Sequence, residues 1–130
     1  QQGSWADWEF PAYRATIYLT HHNISTESQL NQHIEDAIRF VNHHIPRATG
    51  IEDELIWNTH NNVYGYFYHI RGRDVASPLQ FFVTDSLHHF LRGALYFGVA
   101  PNNDSLAPVI SQIDRDIRKK LESIRWNQAH

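Results

Sequence analysis

Residues Ala76 to Pro108, ASPLQFFVTDSLHHFLRGALYFGVAPNNDSLAP, decide the fold. Leu79 to Thr84 has the aromatic and β-branched make-up of a strand, and Pro78 is tolerable only at its start or at a sheet edge. Leu87 to Phe97 admits two readings. Phe90, Ala94 and Phe97 would form a helical stripe, but Gly93 in the middle and the aromatic bias favour a strand. Read as a strand, it makes Leu79 to Phe97 a hairpin. Polar residues recur inside and beyond this apolar run: Gln80, Asp85, Ser86, Arg92, Asn102, Asp104 and Ser105. Burying such groups costs on the order of 1 to 3 kcal/mol each unless they are hydrogen-bonded, so they satisfy one another or line a surface kept for a partner.

Working outward, Val63 to Ile70 reads as the strand before this hairpin, across a Gly72-Arg73-Asp74 turn and after the Asn61-Asn62 turn signal. Ile51 to Trp57 is a weaker strand. Arg14 to Thr20 alternates strictly, the period of a half-buried strand, and Trp8 to Phe10 is positioned to pair with it. Gln1 to Asp7 is polar and is expected to fray, with Trp5 and Trp8 packing down as it joins the domain. Thr26 and Gln29 have capping-box spacing, and the apolar positions that follow predict a helix from Thr26 to Ile45, stopped by Pro46. A second helix is predicted from Ser105 to Trp126, with Asp114 and Asp116 early and Lys119, Lys120 and Arg125 late, as the helix dipole favours. The sum is a single α+β domain over 1–130, an antiparallel β-sheet covered by two amphipathic helices.

A chain of 130 residues, 42% hydrophobic and 13% aromatic, can bury one core but not two. The formal charge is -3 with Lys and Arg scattered, which argues against nucleic acid as a partner. No apolar run is long enough to span a bilayer. The chain starts at Gln1 and holds no Met, which reads as a processed or trimmed form. With no Cys, disulfides and thiol chemistry are excluded.

Ten histidines invite a metal hypothesis, but none of their spacings is that of a local chelate, and the default reading is exposed surface histidines without metal. Asp85, Ser86 and His89 have the residue types of a hydrolytic triad without the strand-turn-helix context that such a triad needs. No phosphate or dinucleotide motif occurs, so neither an enzyme activity nor a cofactor is expected. A hairpin turning at Leu87 and His88 would bring Asp85 within ion-pair reach of Arg92, as a salt bridge fixing the register or as part of a recognition surface. Tyr64, Tyr66 and Tyr68 share one face of a strand, as core with wet hydroxyls or as an aromatic interaction surface.

Several ordered blocks carry a resemblance that spacing could not supply: Asn62-Val63-Tyr64-Gly65, Ala76-Ser77-Pro78, Gln80 to Ser86, His89 to Phe97, Pro101-Asn102 and Asp104 to Ile110. With Trp8-Glu9-Phe10-Pro11, Ile17 to Thr20 and Trp126, they make the chain resemble the gliding-motility lipoprotein GldD family of the Bacteroidetes. The resemblance implies a non-catalytic lipoprotein of the cell envelope, facing the periplasm. It implies support for gliding and type IX secretion through contacts with other envelope proteins of that machinery. It also implies a membrane tether only through a lipidated Cys upstream of Gln1, since this chain has none. The alternative is a periplasmic module binding a ligand or cell-wall fragment in a cleft of Tyr64, Tyr66, Gln80 and Arg92. The order of elements is similar to the Mog1/PsbP-like α/β/α sandwich. Asp85, Arg92, Asn102 and Asp104 are expected together at one end of the sheet, against a protein partner.

Overall fold

Alternation along the strands gives this sheet two apolar faces, and a helix packs on each. The computed structural model describes residues 5–126. In chain order the elements are β1 (Trp8–Phe10), β2 (Ala15–Asn23), α1 (Glu27–Asn42), β3 (Gly50–Asn58), β4 (Val63–Arg71), β5 (Leu79–Thr84), β6 (His89–Phe97) and α2 (Ala107–Glu122). Short 3-10 turns lie at Pro11–Tyr13 and Ile45–Arg47. The six strands form one sheet in the order β1-β2-β6-β5-β4-β3, with every neighbouring pair antiparallel. Leu79 to Phe97 is the expected hairpin, with Thr84 opposite Phe90 and Gln80 opposite Ala94.

On one face Ile17, Leu79, Phe81, Val83, Leu91 and Leu95 pack against Ile110, Ile113, Ile117 and Leu121 of α2. On the other, Tyr68, Ile70, Phe82 and Phe90 pack against Ala37 and Val41 of α1. The layers are therefore α/β/α. β5 is buried along its whole length because both helices lie over it. Pro78 takes the first of its two permitted places, just before β5, where its carbonyl accepts the Ile70 N–H at 2.8 Å.

Thr26 caps α1 as its spacing predicts, its Oγ1 accepting from Gln29 N at 3.1 Å, while Gln29 Oε1 reaches back to Ser25 N at 2.7 Å. Both helices are shorter than the apolar pattern suggests. α1 ends at Asn42 and the chain tightens into the 3-10 turn that contains Pro46. α2 starts after Leu106, which has no side-chain cap; Ser105 Oγ donates back to Asn102 O at 3.1 Å instead. Beyond Glu122 the chain leaves the helix, and Trp126 Nε1 donates to Asn62 O at 2.7 Å. Residues 1–4 of the segment expected to fray lie outside the described residues. Trp5 packs on the α2-face core, and Asp7 Oδ1 accepts Leu19 N at 2.8 Å.

Gly93 sits opposite Phe81 in the register, and the Phe81 ring lies across it where a Cβ would stand. The absence of a side chain at Gly93 is what lets Phe81 lie flat in the core and stack on Trp8 at 5.7 Å. Gly93→Ala is expected to cost about 1 to 3 kcal/mol through overpacking, read as a lowered urea midpoint. Adding Phe81→Leu to that variant should recover part of the loss, and an unchanged midpoint for Gly93→Ala would contradict this packing.

Candidate functional site

The polar residues singled out in the sequence fall into three separate places. Asp85 sits in the β5–β6 turn, where Oδ1 accepts the backbone N–H groups of Leu87, His88 and His89 at 2.8 to 3.0 Å. Burial alone would push this carboxyl up, but the three N–H bonds outweigh it and hold it below the usual carboxylate range. Ser86 takes a left-handed φ of 75° in the same turn, with its N–H on Thr84 Oγ1 at 2.9 Å. The expected Asp85 and Arg92 ion pair does not form. The register puts Arg92 opposite Phe82, three residues and about 10 Å along the strand from Asp85. An odd offset along a strand also sends the two side chains to opposite faces.

Asn102, Asp104 and Ser105 lie in the loop before α2, at the far end of β6, about 26 Å of strand away from the Asp85 turn. They therefore do not share one end of the sheet with Asp85. Asp104 is exposed there. The residue that organises this loop is Asn103, which the sequence reading missed. Its Nδ2 donates to Gly72 O at 2.8 Å and Val75 O at 2.9 Å, and its N–H to Arg73 O at 2.9 Å, joining the β4–β5 connection to the loop before α2. The Asn102-Asn103 pair in a turn-rich segment was the only signal for it.

Gln80 and Arg92 do meet, under α1. Gln80, 2% exposed, accepts from Arg92 Nη2 through Oε1 at 3.0 Å, and Phe40 of α1 covers the guanidinium at 4.2 Å. Tyr64, Tyr66 and Tyr68 share the α1 face of β4 but not one environment: Tyr68 is core, Tyr64 half-buried and Tyr66 exposed. The register runs Arg92, Phe82, Tyr66, so Phe82 separates the tyrosines from Arg92 and no single cleft joins Tyr64, Tyr66, Gln80 and Arg92.

α1 covers only part of its face. Toward β2, Tyr18 and Tyr96 remain exposed as an edge-to-face pair at 5.9 Å. Toward the other side, Tyr66 continues into Leu55, 55% exposed, and Trp57, 68% exposed and 4.6 Å from the Tyr64 ring. Both belong to β3, a nine-residue edge strand whose opposite face carries Glu52, paired with Arg71 at 3.0 Å, and Glu54, paired with Arg118 at 2.7 Å. Asp53 has no ion-pair partner among the described residues.

The histidines are more buried than their default reading allowed: His43, His60 and His88 are exposed, whereas His21 is buried and His22, His33, His44, His69 and His89 are half-buried. His130 lies outside the described residues. No group of three or more His, Cys, Asp or Glu among the described residues could hold a metal ion. His21 Nε2 and His89 Nδ1 share a hydrogen bond at 2.9 Å. Trp5 stacks on His21 at 5.5 Å, Trp126 stacks on His89 at 5.2 Å, and the two tryptophans meet at 5.8 Å. These four rings hold the two ends of the described chain together.

The family model for the gliding motility lipoprotein GldD matches residues 1–126, and the chain belongs to that family. No curated protein and no solved structure matches it. Family membership gives a lipoprotein with a role in gliding motility. No helix among the described residues is long and apolar enough to cross a membrane.

The ring cluster makes stability depend on pH. Burial, then the neighbouring His89, lowers His21 from about 6.5 to about 4, and burial also lowers His22, His44 and His69. An unfolded chain takes up these protons near pH 6.5 while the folded one stays neutral, so acid favours unfolding. The stabilisation from neutral His21 is complete above about pH 6.5 and is lost as pH falls toward 4. Melting temperature should drop between pH 7 and 5, and His21→Gln should flatten that slope; equal slopes for variant and parent would exclude the assignment.

Proposed function

We propose, starting from membership in the gliding motility lipoprotein GldD family, that this chain is a non-catalytic component of the cell envelope, lipid-anchored and facing the periplasm. It supports gliding and type IX secretion by binding other envelope proteins of that machinery. The observation that carries this reading is β3. It is nine residues long, forms the outer edge of the sheet, and is exposed at seven positions, with only Ile56 and Asn58 half-buried. Such an edge offers a row of backbone donors and acceptors to an added strand. Leu55 and Trp57, next to Tyr66 and Tyr64, give the added strand an aromatic and aliphatic surface of the kind enriched at interfaces. Asp53, on the same face as Leu55 and Trp57 and without an ion-pair partner among the described residues, favours a basic partner segment.

The Asp85, Ser86 and His89 set lends no support to a hydrolytic reading. Asp85 spends its carboxylate on three backbone N–H groups, and Ser86 stands in a left-handed turn conformation. Neither is arranged as part of a Ser-His-Asp relay with His89, whose ring is engaged by His21 and Trp126.

The test is a Leu55→Ala, Trp57→Ala double variant in a deletion strain of a gliding relative. Both side chains are mostly exposed, so stability should stay within about 0.5 kcal/mol of the parent, with normal cellular level. Surface spreading and secretion should fail. A variant that accumulates normally and restores both would sink the β3 interface.

A further inference from the structure

The flank of α1 toward β2 and β6 holds a surface pocket of about 250 Å³, lined on its polar side by Thr20, His22, His33, Asp36 and Arg92 and walled by Phe40. Arg92 is half-buried at its floor. A guanidinium carries five N–H donors. One of these meets Gln80 Oε1 at 3.0 Å, Phe40 covers the group at 4.2 Å, and no carboxylate lies within ion-pair distance among the described residues. Arg71 and Arg118, both more exposed, each have a glutamate. The one acid of the pocket, Asp36, is already engaged by Arg39 at 2.7 Å and Gln32 at 3.1 Å. A partly desolvated cation whose only acceptor is a neutral amide is costly, and a counter-charge from outside would offset that cost. Burial accordingly pushes Arg92 down from its ordinary value.

We propose that this pocket is a binding site for a carboxylate group. Arg92 anchors the carboxylate through its uncommitted N–H donors, the match that makes guanidinium and carboxylate pair well. The Thr20 hydroxyl is a second donor, and the Phe40 ring packs the carbon skeleton behind the acid. The stacked rings of His22 and His33, 4.1 Å apart, close one side. The volume admits one acidic side chain or an acid of a few carbons, below the range of pockets for larger ligands. A free small acid and a Glu side chain of another protein present the same group. The site lies on the opposite flank of α1 from the β3 edge, so it stands or falls independently of that interface.

Nuclear magnetic resonance of the ¹⁵N-labelled domain tests this with two probes, succinate and a short peptide bearing one Glu, against sodium chloride at matched ionic strength. The Arg92 Nε–H, Thr20 and His22 signals should move saturably beyond the chloride response. Saturation by succinate shows that a free acid suffices; saturation by the peptide alone shows that the acid must be protein-borne. Arg92→Gln should weaken binding about tenfold or more, and Thr20→Val, at an exposed position, severalfold. The proposal is overturned if neither probe exceeds chloride or if the shifts persist in Arg92→Gln. Should Arg92→Gln fail to fold, undiminished binding by Thr20→Val overturns it instead.

Discussion

The carboxylate of Asp85 holds the structure together out of proportion to its size. By accepting three successive backbone N–H groups it closes the β5–β6 turn and leaves one register for the hairpin. Bonds to an ionised acceptor are roughly twice as strong as neutral ones, and here they satisfy N–H donors that a four-residue turn would otherwise leave to water. That register sets Phe81 opposite Gly93 and Phe82 opposite Arg92. A slip of one residue would turn every side chain of β6 to the other face, placing Arg92 in the α2 core and Leu91 and Leu95 under α1. The most buried strand, the aromatic stack on Gly93 and the Arg92 and Gln80 pair all depend on this one turn.

The two faces of the sheet are treated differently although each receives a helix of 16 residues. A helix is only about 10 to 12 Å across, so one lying along the strands covers two or three of them at their spacing of about 4.8 Å, not six. On the α2 face the shortfall is made up by Trp5, Trp8, Phe10, Tyr13 and Trp126, drawn from both ends of the described chain. The α1 face is supplemented by smaller side chains, Ile24, Ala48 and Val75. Tyr18, Tyr96, Tyr66, Leu55 and Trp57 stay in water on either side of α1. An uncovered aromatic area next to an open strand edge is a surface with chemistry to spare, whereas the closed face carries the stability.

Much of this was legible from residue order. The hairpin, a strand at Ile51 to Trp57, the Thr26 cap and the two-helix, one-sheet plan follow from periodicity and turn chemistry. What periodicity could not supply was which strand residue stands opposite which. Asp85 and Arg92 looked like partners because a turn at Leu87 and His88 brings two strands together, yet the parity of the ladder keeps them on opposite faces. The second helix is expected to start at Ser105, where the apolar pattern begins. The helix instead begins two residues later at Ala107, with Leu106 as its N-cap and Ser105 turned back on Asn102. The burial of the histidines was equally hidden, since a ring such as His21 is paired with His89, 68 residues away, and sequence spacing reports only local neighbours.

The two edges of the sheet differ in how much backbone they leave open. β1 is three residues long and runs directly into the turn containing Pro11, so it presents little backbone to an incoming strand. β3 has neither device: it contains no Pro and no Lys, and it runs unbroken opposite β4 for nine residue pairs. An edge left this open would invite pairing with a second copy of itself. Glu52, Asp53 and Glu54 oppose that outcome, because an antiparallel pair of β3 strands centred on Asp53 would set Asp53 across from its own copy and Glu52 across from Glu54. The fold leaves this edge exposed, and the charges along β3 act against its pairing with a second copy while Leu55 and Trp57 remain in water.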